Sequence, residues 1–149
     1  KFGKSSTKRL LTCHTDLIRV FNEVIRHVDC SVLCGHRGEK EQMEAYNSGN
    51  SNAKYPKGKH NAMPSNAIDV MRYPIDWEDL ERQTLFAGFV LGIAKQMGVN
   101  LTWGNDWDGD LIYGSLYNKA QHEDNDVIIT GDIAWGAADQ ETDEPPAGN

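Results

Sequence analysis

Five residues, Ala67-Ile68-Asp69-Val70-Met71, make an apolar run of strand length interrupted by one carboxylate. That interruption constrains the fold more than any other feature of the chain. An unpaired buried carboxylate costs several kcal/mol, so the run can be buried only if the fold brings Asp69 a partner. A histidine stands nine residues upstream, in the polar, proline-containing turn Lys59-His60-Asn61-Ala62-Met63-Pro64-Ser65-Asn66. Imidazole and carboxylate can converge on one ion. Two ligands do not complete a centre, however: hydrolysis at zinc needs a third protein ligand and an open position for water.

The surrounding pattern alternates short strands with helices. A short basic segment through Leu11 follows Ser5 and Ser6. Thr15 then stands in the N-cap position of a stretch with Leu17, Ile18, Phe21, Val24, Ile25 and Val28 on one helical face. His14 at its entry and His27 near its end read as surface or capping imidazoles. Ser31-Val32-Leu33-Cys34 has strand composition and ends at the turn Gly35-His36-Arg37-Gly38. Glu39 to Tyr46 predicts a helix stopped by Ser48-Gly49-Asn50, and residues 48 to 61 form a polar loop of the kind that often carries function. Beyond the turn Tyr73-Pro74-Ile75-Asp76-Trp77, a helix is expected from Leu80 to Met97. Its core stripe is Phe86, Phe89, Val90, Ile93 and Met97, with Gly98 as the stop. Leu101-Thr102-Trp103 reads as a third strand and Val127-Ile128-Ile129-Thr130 as a further one. Residues 137–149 are acidic with almost nothing to bury, so the expected division is a domain over 1–136 and a disordered tail over 137–149.

The 149 residues suffice for one core. A net charge of −7 and a pI near 5.1 speak against binding a nucleic-acid backbone. No run approaches the roughly 18 apolar residues of a membrane span, and the first residues lack the apolar core of a secretory signal. The expectation is a monomer made in a cytoplasm. Cys13, Cys30 and Cys34 fit neither a disulfide framework nor a Cys-x-x-Cys knuckle and read as buried free thiols.

Four blocks together carry a resemblance: Gly35-His36-Arg37 with Gln42 downstream, His60 to Asp69, Pro74-Ile75-Asp76-Trp77, and Trp103-Gly104-Asn105-Asp106-Trp107-Asp108-Gly109-Asp110. In this order they resemble the phage endolysins of the L-alanyl-D-glutamate peptidase type. Those enzymes group with the D-alanyl-D-alanine carboxypeptidases and the hedgehog-like zinc peptidase fold. The similarity spans residues 5 to 110 and thins beyond. It implies an α+β domain whose small antiparallel sheet, flanked by helices, holds Zn2+ on two histidines and an aspartate. It also implies a peptidoglycan stem peptide as substrate, host cytoplasm as the place of synthesis, and action on the wall after release by a pore-forming partner. Which stem bond is cut, L-Ala-D-Glu or D-Ala-D-Ala, stays open at this point. His60 and Asp69 match the first two ligands. Arg37 and Gln42 match a substrate-holding pair, in which the guanidinium binds a peptide carboxylate or a developing oxyanion. A surface ion pair of Arg37 with Glu39 or Glu41 is the plainer alternative.

The third ligand is where the sequence departs from the family. There it lies in a segment of the form aromatic-Asn-Asp-x-Pro-His-aromatic-Glu, whose Asp is the general base. Here Tyr117, Asn118 and His122 line up with that segment, but Lys119 replaces the base and Gln121 the proline. A lysine is no carboxylate base, and its charge opposes that of the metal. Three readings follow: Glu123 or Asp124 supplies the base, with Glu123 preferred; the chain is a non-catalytic, zinc-containing cell-wall-binding domain; or the segment from Leu111 onward is foreign to the family. Asp106, Asp108 and Asp110 alternate like Ca2+ ligands, although Leu111 and Tyr117 stand where an EF-hand loop has Gly and Glu, so an acidic solvated loop is the alternative.

Overall fold

The computed structural model describes residues 1–104, 111, 129–130 and 132–133. In chain order they form α1 (Lys4–Leu10), α2 (Thr15–Val24), β1 (Cys30–Cys34), α3 (Glu39–Asn47), a 3-10 turn (Lys59–Asn61), β2 (Asp69–Arg72), α4 (Leu80–Gln96), β3 (Leu101–Thr102), β4 (Ile129–Thr130) and β5 (Asp132–Ile133). One sheet has the order β1-β2-β4 and a second pairs β3 with β5; every pairing is antiparallel. This is the expected α+β architecture.

The core forms where α2 and α4 pack and the sheet closes beneath them. Leu17, Val20, Phe21 and Val24 from α2 meet Val32 of β1, Ile68, Val70 of β2, and Phe86, Ala87 and Val90 of α4. Burial of these side chains supplies the main stabilisation, at about 1.5–3 kcal/mol for each large one. The α4 stripe holds at Phe86 and Val90, with Ile93 and Met97 packed at its margin, whereas Phe89 is 40% exposed and meets the His27 ring edge-on. Small residues, Ala87 and Ala94, take buried places instead. Gly98 stops the helix as expected, with a φ of +74°.

Two features of the opening segment lie outside the expectations. Thr15 is not the cap of α2; that place falls to His14, in the capping role open to it, its Nδ1 accepting from the Asp16 amide at 3.1 Å. The basic segment is itself a helix, α1, and its role is tertiary. The Ser6 hydroxyl accepts from the Val32 amide at 3.0 Å and Arg9 donates to the Val32 carbonyl at 3.0 Å. One edge of the sheet therefore finds its hydrogen-bond partners on α1 side chains.

The turn carrying His60 is pinned in the same manner. Ser65 is fully buried; its amide donates to the Thr12 carbonyl and its own carbonyl accepts from the His14 amide. The stretch from His60 to Asp69 is thus tied at its middle to the α1–α2 connection.

Candidate metal centre

The site begins with an irregularity in strand register. Val32 pairs with Val70, but the next pair is Cys34 with Asp69, so Leu33 is an extra residue in β1. Such a bulge shifts the following side chain to the other face of the sheet. It sets Cys34 beside Asp69 on the face away from the core.

His60 arrives from the 3-10 turn. Its Nδ1–H donates to the Gly35 carbonyl at 2.7 Å, which leaves Nε2 facing Asp69 Oδ1 at 3.3 Å. The second carboxylate oxygen, Oδ2, lies 3.6 Å from Arg37 Nη2. The Cys34 sulfur sits 3.7 Å from His60 Nδ1. Asp69 therefore has its partners, and they are the sequence-matched histidine and arginine. Arg37 turns inward to Asp69 and Gln42 instead of pairing with Glu39 or Glu41.

The charges in this pocket favour a cation. Burial works against a proton on His60, but the Asp69 charge and hydrogen bond, with a smaller share from Cys34, outweigh it and push the imidazole up to about 10. For Cys34, burial works to raise the thiol. The hydrogen bond and charge of His60, opposed by Asp69 and helped by Arg37, bring it below its ordinary value. Cys13 and Cys30, packed in the core, are pushed up to about 12, chiefly by burial. Two of the three thiols are buried as expected; Cys34 is half-buried and belongs to the site.

The donor set also fits a metal. Two ligands held at about 2.0–2.1 Å by a tetrahedral ion are about 3.3 Å apart, and Nε2 and Oδ1 are 3.3 Å apart. The Nδ1 hydrogen bond to a backbone carbonyl orients the ring as metal-bound histidines require, and Arg37 on Oδ2 leaves Oδ1 for an ion. Among the described residues, Cys34, His60 and Asp69 bring their donor atoms within 4.8 Å of one another.

Gln42 lies beneath Arg37. It is 1% exposed. Its Oε1 accepts from Arg37 Nη1 and Asn61 Nδ2, each at 3.1 Å, and its Nε2 donates to Ser51 Oγ and the Ala53 carbonyl. With each polar atom engaged, Gln42 supports Arg37 from beneath. Asn61, which the sequence reading left without a role, closes this network by donating to the Arg37 carbonyl at 2.9 Å. His36 is turned away, with Nδ1 against the Ala62 carbonyl, and His27 pairs with Glu23. His122, Glu123, Asp124 and Lys119, the acidic triplet Asp106, Asp108 and Asp110, and the tail over 137–149 lie outside the described residues. Cys34 was missed as a site residue because a bulge leaves no trace in hydrophobic periodicity. Its one signal is its position immediately before Gly35-His36-Arg37.

Comparison with known proteins places the chain among peptidases of the resembled type. The family model for phage L-alanyl-D-glutamate peptidase matches residues 1–135, which includes the segment after Asp110. The chain is similar to the L-alanyl-D-glutamate peptidase of Escherichia phage T5, with 29% identity over 135 residues, covering 87% of this chain and 97% of that protein. Its fold is similar to that of the Serratia marcescens L-Ala D-Glu endopeptidase ChiX, with a TM-score of 0.64, 23% identity and 89% of each chain covered.

Proposed function

The chain belongs to the phage L-alanyl-D-glutamate peptidase family, and from that membership we infer that it is an endolysin peptidase hydrolysing an amide bond in the peptide stem of bacterial peptidoglycan. The names of its relatives favour the L-Ala-D-Glu bond over D-Ala-D-Ala. The cofactor is proposed to be zinc, held by His60, Asp69 and His122. The observation that carries the zinc reading is the 3.3 Å approach of His60 Nε2 to Asp69 Oδ1, with the other atom of each group engaged elsewhere. Bound there, zinc supplies Lewis acidity toward the scissile carbonyl and toward water.

The chain's own residues would do the rest. The Gly35 carbonyl fixes the His60 tautomer, so that Nε2 is the nitrogen offered. Arg37 is held at Nη1 by Gln42 and at Nη2 by Asp69, and its remaining N–H donors are the group proposed to receive a stem-peptide carboxylate or the developing oxyanion. Glu123, next to His122, is the proposed general base. The peptide stem is the proposed partner of a monomeric chain made in the host cytoplasm and admitted to the wall on lysis. Among the described residues no helix is long and apolar enough to cross a membrane.

A second reading, a wall-binding domain without turnover, draws on Lys119 standing where the family has its base. One experiment addresses both. Purified protein is assayed for zinc content and for cleavage of muropeptides, with and without a chelator. About one equivalent of zinc, cleavage abolished by chelation and both lost in Asp69→Ala are expected. Stoichiometric zinc without cleavage would favour the binding domain, and no zinc would refute the metal assignment.

A further inference from the structure

Between Glu44 and Asp69 the chain has no acidic residue, although it carries 22 in all, and the same stretch holds Lys54, Lys57 and Lys59. In a protein of net charge −7, the loop beside the site is thus locally positive. We propose that the exposed turn Lys54-Tyr55-Pro56-Lys57 is the part of the site that reads charge on the substrate, its two lysines holding free carboxylates of the stem peptide on the glutamate side of the bond that is cut. The inference rests on the peptidase reading above and adds a preference to it, for acidic stems over stems whose carboxylates are amidated.

The turn is built onto the residues that hold Arg37. One foot is Ala53, whose carbonyl accepts from Gln42 Nε2 at 2.6 Å, beside Ser51 Oγ, which accepts from the same nitrogen at 2.9 Å. The other foot is Gly58. Its amide donates to Asn61 Oδ1 at 2.8 Å, and a Cβ there would lie 2.7 Å from that oxygen and 3.0 Å from Gln42 Oε1. Both feet therefore stand on the Gln42–Asn61 pair, and the same Gln42 Oε1 accepts from Arg37 Nη1. Between the feet, the Lys57 amide donates to the Lys54 carbonyl at 2.8 Å, which closes the turn and sets the lysines at its first and fourth positions. Residues 54–57 are all exposed. A merely solvated loop needs none of these tethers; here they fix its base one side chain away from the guanidinium.

The two kinds of cation divide the work. Arg37 is committed to Gln42 and Asp69, which fixes its planar fork beside the metal site. A lysine ammonium is a compact charge on a flexible stem, suited to an anion whose place varies with the peptide. Lys54 Nζ lies 5.3 Å from the centre of the Tyr46 ring, and among the described residues neither Lys54 nor Lys57 is paired with a carboxylate. A glutamate that continues the stem through one of its two carboxyl groups keeps the other, which is an anion at neutral pH unless it is amidated. Exposed cations at the rim of the site also draw such a substrate in from solution.

The test uses the zinc-loaded full chain and, as probe, the tripeptide that begins at the stem glutamate, which has no scissile bond to lose. Its affinity is measured by calorimetry with its carboxylates free and with them amidated. The free form should bind more tightly, more so at low than at high ionic strength. The ratio of the two affinities should shrink by about 3–10-fold in the double variant Lys54→Gln, Lys57→Gln and shrink further in Lys54→Glu, Lys57→Glu. Lys8→Gln, Lys95→Gln, with the same change of net charge, should leave it as it was. No preference in the unmutated chain, or one that survives loss of both lysines, overturns the proposal. Muropeptide cleavage is followed on the same samples. Cleavage with a preference indifferent to the lysines removes the charge-reading turn and leaves the peptidase standing, whereas a lysine-dependent preference without cleavage sustains the turn and removes turnover.

Discussion

Three side chains, His60, Asp69 and Arg37, hold one another in a chain of charge: imidazole to Oδ1, Oδ2 to guanidinium. In the metal-free protein a proton on His60 stands in for the cation. Its folded value, about 10, lies above the ordinary 6.5, so the folded state binds the extra proton between those two values. Stability from this source is fully present below about pH 6.5 and is lost as pH rises through about 10. Urea midpoints of metal-free protein should therefore fall between pH 7 and pH 10, and His60→Gln should flatten that slope; an unchanged slope in the variant would remove His60 as its source. Arg37→Lys belongs at the same scale. An ammonium is a single point of charge and cannot span Asp69 Oδ2 and Gln42 Oε1 as the planar fork does. Cleavage of muropeptide should drop by about 10–100-fold with zinc content retained. Full activity in Arg37→Lys would show that its role is not catalytic.

At the scale of elements, the β1 bulge and the 3-10 turn place the donors, and Gly35 is their hinge point. Its carbonyl orients His60 while its missing side chain lets β1 press against Arg9 and Thr12. Gly35→Ala is expected to cost about 1–3 kcal/mol through overpacking. It should also weaken zinc binding, because the carbonyl moves with the backbone; a urea titration and a zinc competition assay read the two effects separately. The main elements were legible from periodicity: α2 from its apolar face, α4 from its stripe and glycine stop, β1 and β2 as short apolar runs. Helix α1 was not. It carries one well-buried apolar residue, Leu10, and its reason for being helical lies in Ser6 and Arg9, which serve the edge of β1.

For the whole molecule, one core joins α2, α4 and the sheet, so damage far from the site reaches it through the fold. Phe21→Ala, at a fully buried position, should cost about 3–5 kcal/mol. That is a large part of the about 5–15 kcal/mol typical of a domain, and the variant should show a clear fall in its thermal midpoint. The family match ends at residue 135. A chain cut after residue 136 is accordingly expected to keep its zinc and its activity, and loss of either would place a working part of the protein in 137–149.

By itself, the sequence determined the α+β class, the family, and the roles available to His60, Asp69 and Arg37, because these depend on residue type, spacing and burial of apolar side chains. It pointed to a partner for Asp69 before any partner was visible, since a carboxylate in an apolar strand demands one. Tertiary structure alone decided the rest. Gln42 became a buried support of Arg37 because its hydrogen bonds are filled by segments distant in the chain, Ser51, Ala53 and Asn61 among them. Cys34 entered the site because one extra residue in β1 turned it toward Asp69. Register and hydrogen-bond partnership are relations between strands and loops, and a linear pattern of residue types does not encode them locally.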